Sequence, residues 1–436
     1  KTKFLHIATA LLFVGFTSSC SDFLDRYPLD ELSDSSFWKT ENDAMMAVTD
    51  IYGCLPTWDQ DEDINSDNAV HGIKWAAGNI SKGVYDPMDQ SWAGSYTPIR
   101  QCNLVLEKVK DIEMSDESRK KIEGQAYFFR AFVYFNLIRS FGDVPYIDKP
   151  LNLTDVEDIT RTPREEVYAK VMADFDKAIE YLPEEWDAAN TPRVTKGAAL
   201  AMKARAALYY NNWQVAADAS KAVMDLGKYE LYDAGNTGKY QELFWEKSDG
   251  CDENILYVQF NYPDKTHYLI GWECFPTLGW GGMNPTQSLV DAFEDKDGAP
   301  ISKSTIYNEK DPFKNRDPRL EVNVLHDGEE MYGVTIKVKP LKSSGKTGIE
   351  QHGDATATGY YQQKWLDPSI DPQSEGWNMG KDWVVIRYAE VLLTYAEAMN
   401  ELHPLSAESF DAVNQVRRRV GTVSYTHLRA HETGAY

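Results

Sequence analysis

The chain has few residues of the kinds that build metal and nucleophile sites. It carries 5 Cys and 8 His in 436 residues, with no C-x-x-C pair and no Cys/His cluster. It also lacks the G-x-S-x-G, H-E-x-x-H and phosphate-loop motifs. The sequence therefore gives no support to a zinc site, a serine hydrolase, a metalloprotease or a nucleotide-binding enzyme, and we expect no cofactor. The scattered thiols of Cys54, Cys102, Cys251 and Cys274 are either free or paired in disulfides.

Positive charge is also scarce. The 45 Lys and Arg residues are outnumbered by 68 Asp and Glu residues, which gives a formal net charge of −23. Proteins that bind nucleic acid carry basic patches, so a nucleic-acid partner is excluded. The same balance disfavours strongly anionic ligands, although a local basic groove can overcome the global sign.

Acidic residues are abundant enough to leave two alternatives open. A glycosidase needs a pair of carboxylates, and no pair stands out among the 68 acidic residues, so a surface glycosidase is kept as an alternative. Residues 61–63 and 295–298 are similar to cation-binding loops, but the second lacks the rest of an EF-hand. We expect both to be solvated turns and keep calcium as an open alternative.

The first residues have the pattern of a bacterial export signal. Lys1 and Lys3 precede an apolar run over residues 4–16, and small residues lead to Cys20. The run is too short for a membrane-spanning helix. We expect residues 1–19 to be a lipoprotein signal peptide and Cys20 to carry the lipid, with ordinary secretory cleavage as the alternative.

The rest of the chain is organised around an apolar stretch at residues 123–146. Two apolar stripes run side by side along it, whereas a helix with water on one side needs only one, so the pattern predicts a helix buried on most sides. Arg130 and Arg139 interrupt the stretch, and we expect both to be buried or capping charges with carboxylates or carbonyls nearby. Gly142 and Pro145 end the helix.

Other helical patterns surround this central helix. Residues 162–182 predict a helix with Thr162 as N-cap and Pro163 at the first helical position. Residues 191–231 predict two Ala-faced helices joined at residues 211–212, an arrangement similar to a tetratricopeptide repeat. The predicted fold is mostly α, a tetratricopeptide-like helical superhelix with an irregular, loop-rich region that carries a few short strands.

The chain divides into five segments on this interpretation. Residues 255–260 are expected to form a strand in the irregular part, and helix is expected to return at Val384. Residues 423–433 look like a translated sequencing adapter, so we expect a non-native end and a longer natural protein. The segments are 1–19 (signal peptide), 20–231 (N-terminal helical part with an insertion at 56–92), 232–385 (irregular ligand-face region), 386–421 (returning helices of the core) and 422–436 (non-native tail).

Aromatic residues exceed what a core needs, since the chain has 12 Trp and 25 Tyr. Several lie in irregular, polar stretches, where an indole ring can stack on the C–H face of a sugar while amides and carboxylates take the hydroxyls. Trp280 lies in a Gly-Trp-Gly stretch and is expected to be mainly structural, but it is kept as a candidate. The candidate ligand-binding residues are Trp58, Trp75, Tyr85, Asn79, Asp86 and Gln90 of the insertion, with Trp272 and Trp280 of the 260–283 loop.

Five stretches together resemble one known family. They are FRAFVYFNLIR with GDVP (129–139 and 142–145), TPREEVY (162–168), NPTQSLVDAF (284–293), RDPR (316–319), and RYAEVLL with YAEA (387–393 and 395–398). In this order, and with the lipoprotein start, they resemble the SusD/RagB family of Bacteroidetes outer-membrane lipoproteins. Residues 21–25 also resemble the acidic tag that sends such lipoproteins to the cell surface. The resemblance covers residues 20–421.

The resemblance implies a function without covalent chemistry. Such a protein binds glycan at the cell surface, is held in the outer membrane by its lipid, and hands the glycan to a SusC-like, TonB-dependent transporter. We expect an aromatic binding surface built from the 56–92 insertion and the 260–283 loop, with the helices facing the transporter. A RagB-like binder of peptides or protein fragments is the alternative of a different ligand class.

Overall fold

The computed structural model describes residues 37–57, 63–72, 82–84, 92–152, 155, 158–338, 340–341, 346–347, 356–374 and 376–425. Helices dominate the described residues, as the sequence predicts. They are α1 (Glu41–Ile51), α2 (Tyr96–Lys108), α3 (Asp116–Phe141), α4 (Arg164–Tyr181), α5 (Lys196–Tyr209), α6 (Trp213–Asp225), α7 (Leu269–Glu273), α8 (Gln287–Ala292), α9 (Pro318–Asn323), α10 (Tyr388–Leu402) and α11 (Ala407–Arg418).

The long helices form one array in which each packs on the next. Helix α2 contacts α3, α3 contacts α4, and the contacts continue through α5 to α6. Helix α10 then packs on α6, and α11 packs on α10. Residues 226–387 separate α6 from α10 in the chain. We call α1–α6 with α10 and α11 the helical scaffold, and residues 232–385 the inserted region. The predicted mostly helical, repeat-like fold is confirmed.

Helix α3 is the centre of the scaffold. The Ser115 hydroxyl accepts a hydrogen bond from the Ser118 amide at its start, and Gly142 with a φ of 68° ends it. Phe128, Phe129 and Tyr134 lie on different sides of the helix and are all fully buried, which is the burial that two apolar stripes predict. The prediction for Arg130 is confirmed, because its guanidinium donates to both Asp174 carboxylate oxygens at 2.7 Å.

The start of helix α4 differs from the prediction. Thr162 is not its N-cap, because Thr162 pairs through its backbone with Val144 at 2.9 and 3.3 Å. The helix begins at Arg164, one residue after Pro163. Its first amide donates to the Asp143 carboxylate at 2.9 Å, so the cap comes from the turn after α3 instead of from the adjacent residue.

Helices α5 and α6 form the predicted hairpin. Asn211 takes a φ of 55° between them, a conformation that Asn tolerates better than most residues. Ala198, Ala201, Ala204, Ala216 and Ala219 are all buried. Small side chains at these positions let the helix axes approach closely.

The strands are short and pair only in twos within the described residues. Ile255 lies in a strand as predicted, but helix does not return at Val384, because Trp383–Arg387 pairs with Asn254–Val258 as a strand. This pair joins the beginning and end of the inserted region beside the scaffold. The antiparallel pairs are β1 (Ala69–His71) with β3 (Met283–Pro285), β2 (Asn254–Val258) with β10 (Trp383–Arg387), β4 (Val324–Leu325) with β9 (Tyr361–Gln362), β5 (Glu330–Met331) with β6 (Val334–Thr335), and β7 (Pro340–Leu341) with β8 (Lys346–Thr347).

The core follows the same division. The scaffold has a large apolar cluster around α3 and a second cluster where α10 and α11 pack on α5 and α6. The inserted region has a smaller cluster that includes Phe275 and Tyr361. Four thiols whose state the sequence leaves open, those of Cys54, Cys102, Cys251 and Cys274, are free. Within the described ranges, no helix is both long enough and apolar enough to cross a membrane.

Candidate functional site

A group of aromatic side chains from two distant segments meets on the surface of the inserted region. His267 and Met379 exchange two backbone hydrogen bonds of 3.0 Å. This pairing brings together Tyr268, which follows His267, and Trp377, which lies two residues before Met379. The two rings pack edge to face at 84°, with their centroids 5.6 Å apart. Both residues are half-buried, so each is packed in part and exposed in part.

Trp377 is held in an unusual backbone conformation. Its φ is 67°, a region in which a bulky residue is strained by about 1–3 kcal/mol. Its amide donates to the Pro372 carbonyl at 2.9 Å. A strained backbone persists only where the surrounding contacts fix it. Here those contacts place the Trp377 indole against Tyr268.

Trp280 completes the group. Its indole Nε1 donates to the Tyr268 hydroxyl at 3.2 Å, and its backbone amide donates to the Gly271 carbonyl at 3.0 Å. Gly271 leaves the room that this packing needs, because a Cβ there would lie 2.6 Å from the Trp377 Cβ and 2.8 Å from the Tyr268 ring. We call Tyr268, Trp280 and Trp377 the aromatic platform.

Trp272 lies beside the platform and packs against the main chain. A Cβ on Gly282 would lie 2.4 Å from its Nε1, so only glycine permits this contact. The Gly282 amide also donates to the Trp272 carbonyl at 2.7 Å. Trp272 thus fixes the end of the loop that presents Trp280, and its half-buried indole remains partly accessible.

Polar groups lie next to the platform. Asn378 follows Trp377 directly and contacts the Thr266 hydroxyl at 3.4 Å, while its amide nitrogen donates to the Gly376 carbonyl at 3.2 Å. Amide and hydroxyl groups at the edge of aromatic rings are the groups that a sugar's hydroxyls need.

A network of buried polar side chains supports the platform. Leu269 donates its amide to His267 Nδ1, which leaves Nε2 to donate to the Lys381 carbonyl at 2.7 Å. Burial lowers the pKa of His267 to about 4, so the ring is neutral. The Lys381 ammonium, itself buried, pairs with the Asp249 carboxylate at 2.5 Å. These contacts fix the backbone bridge on which Tyr268 and Trp377 depend.

The structure also brings the two predicted loops into contact. Strand β1, from the 56–92 insertion, pairs with β3, which follows the 260–283 loop: His71 lies opposite Met283 and Ala69 opposite Pro285. The Gly72 amide donates to the Gly282 carbonyl at 3.0 Å, next to Trp272. The described part of the insertion therefore contacts the end of the loop that carries Trp272 and Trp280.

The predicted site residues divide into two groups. Trp272 and Trp280 lie at the platform, and their role in binding stays a prediction. The sequence reasoning missed Tyr268 and Trp377, although Trp377, like Trp280, directly follows a glycine. Outside the described residues lie Trp58, Trp75, Asn79, Tyr85, Asp86 and Gln90, together with the lipidation site Cys20.

One of the two acidic loops is described, and its lead residue is not solvated as predicted. Asp295 is buried, with 2% of its surface exposed. Its Oδ1 accepts the amides of Asp297 and Ala299, both at 2.9 Å. The carboxylate therefore closes a turn instead of facing water. Across the described ranges, no three His, Cys, Asp or Glu side chains are grouped so that they could hold a metal ion.

Comparisons with known proteins agree with this architecture. Two family models match the chain: one described as the SusD family over residues 244–432, and one described as starch-binding associating with outer membrane over residues 24–208. A SusD-like protein of Formosa agariphila is 25% identical over 440 residues, which cover 96% of this chain and 81% of that protein.

Solved structures give the same assignment. A SusD-like protein from Bacteroides fragilis superposes with a TM-score of 0.81 at 28% identity, covering 94% of this chain and 84% of the other. A SusD-like carbohydrate-binding protein of the same species superposes with a TM-score of 0.76 at 26% identity, covering 91% and 82%. With matching models in both halves and this fold in common, the chain belongs to the SusD/RagB family.

Proposed function

We propose that this protein is a cell-surface lipoprotein that captures oligosaccharide or polysaccharide and delivers it to a SusC-like, TonB-dependent transporter. The aromatic platform carries the proposal. Tyr268, Trp280 and Trp377 present partly accessible rings that backbone bridges and a hydrogen bond hold in place. A preformed aromatic surface binds a sugar at a low cost in side-chain entropy.

The chemistry of the platform suits a pyranose. One face of such a ring presents C–H groups, which pack on an indole, while the hydroxyls at its edge need hydrogen-bond partners. Asn378 and Thr266 lie at the border of the platform, where they can serve. Binding in this arrangement needs no nucleophile and no acid–base pair, so we propose capture without turnover.

Two of the comparisons support a carbohydrate as the ligand. The B. fragilis protein with 26% identity is named as carbohydrate-binding, and the family model for the first half of the chain is described as starch-binding. That description also associates the family with the outer membrane, which supports an outer-membrane location through a lipid on Cys20. We propose that the helical scaffold, which lacks the platform, faces the transporter.

The test is affinity electrophoresis of the protein against a panel of plant, host and fungal polysaccharides. We expect one glycan class to retard it. Trp377→Ala and Trp280→Ala should each weaken that binding about tenfold, since each removes a stacking surface, and Trp272→Ala and Trp75→Ala test the two other candidates. Tyr209→Ala is the matched control, because Tyr209 is an aromatic of the scaffold with 56% of its surface exposed.

Three results would contradict the proposal. If the Trp variants bind as tightly as the parent protein, the platform is not the site. If the purified protein hydrolyses the glycan, the glycosidase alternative replaces capture without turnover. If a folded sample is retarded by no glycan, the peptide-binding alternative becomes the better explanation.

A further inference from the structure

A cavity lies on the helical scaffold where the end of α1 and the start of α2 meet helix α3. Its volume is about 400 Å³, which is within the range of small-molecule sites. One wall comes from residues 50–55, another from residues 94–101, and the third from Phe132, Val133 and Asn136 of α3. The three residues of the aromatic platform do not line it, so this is a separate space.

Asn136 is the unusual residue of this lining. It lies in the buried part of α3, where Phe135 and Leu137 beside it are each 1% exposed, and Asn is a poorer helix former than Leu or Ala. Its side chain is half-buried and has no hydrogen-bond partner among the described residues. Arg130 of the same helix, in contrast, is bound to Asp174. A half-buried amide that the protein leaves unpaired is available to a ligand.

Two hydroxyls at the start of α2 are also uncommitted. Ser95 occupies the position that normally caps a helix, yet its side chain makes no capping hydrogen bond. Thr97 is exposed in the first turn of the same helix. Neither hydroxyl has a hydrogen-bond partner within the described part of the chain. The cavity therefore presents two hydroxyls and one amide, each of which can both donate and accept a hydrogen bond.

The lining carries little charge. Asp50 is the one charged side chain among the described residues of the cavity, and its carboxylate accepts a hydrogen bond from the Gln101 amide. Leu55, Pro98 and Phe132 add apolar surface. Neutral groups that donate and accept suit the hydroxyls of a sugar, whose C–H groups pack on apolar side chains. A lone carboxylate disfavours a ligand that carries negative charge.

The cavity adjoins a larger cleft of about 720 Å³ between the scaffold and the inserted region. Cys54, Phe132 and Asn136 line both spaces. Asn136 therefore lies where the cavity and the cleft meet, and a linear ligand held in the cavity can extend past it into the cleft.

We propose that this cavity is a second saccharide site, in which an uncharged sugar ring is bound by Asn136, Ser95 and Thr97. The proposal rests on glycan capture as the function and adds a site on the scaffold to the one proposed at the platform. Two sites on one protein raise its avidity for a polysaccharide that spans both or presents many repeats.

The test is isothermal titration calorimetry with four uncharged trisaccharides: maltotriose, laminaritriose, cellotriose and xylotriose. Titrations in the Trp377→Ala protein, whose platform is impaired, report on the cavity. We expect at least one trisaccharide to bind there. Asn136→Leu should weaken that binding about tenfold and Ser95→Ala about threefold, since each removes neutral hydrogen bonds to the ligand. Leu is a better helix former than Asn, so the first variant should keep its fold.

Gly94→Leu is an independent variant, because a Cβ on Gly94 meets no atom within 4 Å. The added side chain should occupy the cavity without disturbing the packing, and it should abolish binding there. Asn42→Leu is the matched control, since it removes an amide from the exposed start of α1, and it should bind like the parent protein. Unchanged affinity in folded Asn136→Leu and Gly94→Leu overturns the inference, as does a failure of all four trisaccharides to bind.

The platform variants report separately on the proposed function. If Trp377→Ala and Trp280→Ala remove all saccharide binding, the cavity holds no sugar, and this inference fails while the proposed function stands. If only the cavity variants weaken binding, the platform proposal fails and this one stands. Binding of acetyl-trialanine amide and of no saccharide would overturn both.

Discussion

The helical scaffold and the inserted region reach stability in different ways. In the scaffold, the middle of the long helix α3 is buried on most sides, and a large apolar cluster extends over most of the helices. In the inserted region, strands of two to five residues pair only in twos among the described residues, and the apolar cluster around Phe275 is smaller. Apolar packing between successive helices stabilises the scaffold, whereas individual polar contacts position much of the inserted region.

Those polar contacts join segments that are far apart in the chain. The Lys381 ammonium reaches Asp249 at 2.5 Å, and the Glu246 carboxylate accepts the Gly380 amide at 2.5 Å. Glu253, whose side chain is fully buried, binds both Arg387 and Arg419 at 2.6 Å. Because the last contact reaches the residues around α10 and α11, it ties the inserted region to the scaffold, and the two should unfold together.

The largest expected effect tests that coupling. Phe128→Ala in the scaffold and Phe275→Ala in the inserted region each remove a fully buried ring, and each should lower the free energy of unfolding by about 4 kcal/mol. Urea denaturation followed by circular dichroism measures both. We expect a single transition that both variants shift. Two transitions, of which Phe275→Ala moves only one, would show that the regions are independent.

The next effect concerns the one buried ion pair that the sequence analysis expected. Asp174→Ala leaves the Arg130 guanidinium buried without its carboxylate partner, and the neutral Asn103 side chain at 2.8 Å does not replace that charge. The change should cost about 3 kcal/mol. Replacing both partners, as Arg130→Met with Asp174→Leu, should recover most of that loss, since no charge is left buried. An equally large loss in the double variant would mean that the pair stabilises the scaffold beyond its own desolvation.

The scaffold could be predicted from the sequence because its helices depend on apolar residues that recur at helical spacing within one short segment. The stripes in residues 123–146 required a buried helix, and α3 is that helix, although it begins earlier at Asp116. Where the prediction was wrong, a partner from elsewhere in the chain decided the outcome. Asp143 caps α4 in place of Thr162, and pairing with β2 makes Trp383–Arg387 a strand.

The candidate site could be predicted only in part for the same reason. Trp272 and Trp280 stood out because they lie in an irregular stretch rich in Gly and aromatic residues. Tyr268 and Trp377 did not, since they meet only after His267 and Met379 pair their backbones. Arg139, expected to be a buried or capping charge, is exposed in the last turn of α3, where its charge suits the negative end of the helix dipole.

A smaller effect concerns how the stability of the inserted region depends on pH. The pKa of His267, lowered to about 4 by burial, means that the unfolded chain takes up a proton first, so stability is lost as pH falls from about 6.5 to about 4. Burial raises the pKa of Asp249 to about 6 and also raises that of Asp382, so these groups add stability as pH falls through the same window. The two contributions oppose each other.

Single variants should show how each of these groups changes the melting temperature with pH. His267→Gln leaves the acids alone, and its melting temperature should rise relative to that of the parent as pH is lowered from 7 to 4.5. Asp249→Asn removes one opposing acid, and its melting temperature should fall more steeply than that of the parent. Identical pH profiles for the parent and both variants would mean that the network under the platform does not titrate with folding.

The smallest expected effect concerns surface ion pairs, which we expect to contribute equally little to the stability of both regions. Lys177 pairs with Glu180 on the scaffold surface at 3.0 Å, and Lys247 pairs with Glu242 in the inserted region at 2.6 Å. Water screens both pairs, so Lys177→Ala and Lys247→Ala should leave the melting temperature unchanged within measurement. A clear loss for Lys247→Ala alone would show that the inserted region depends on surface ion pairs as well, because its smaller core leaves more of its stability to polar contacts.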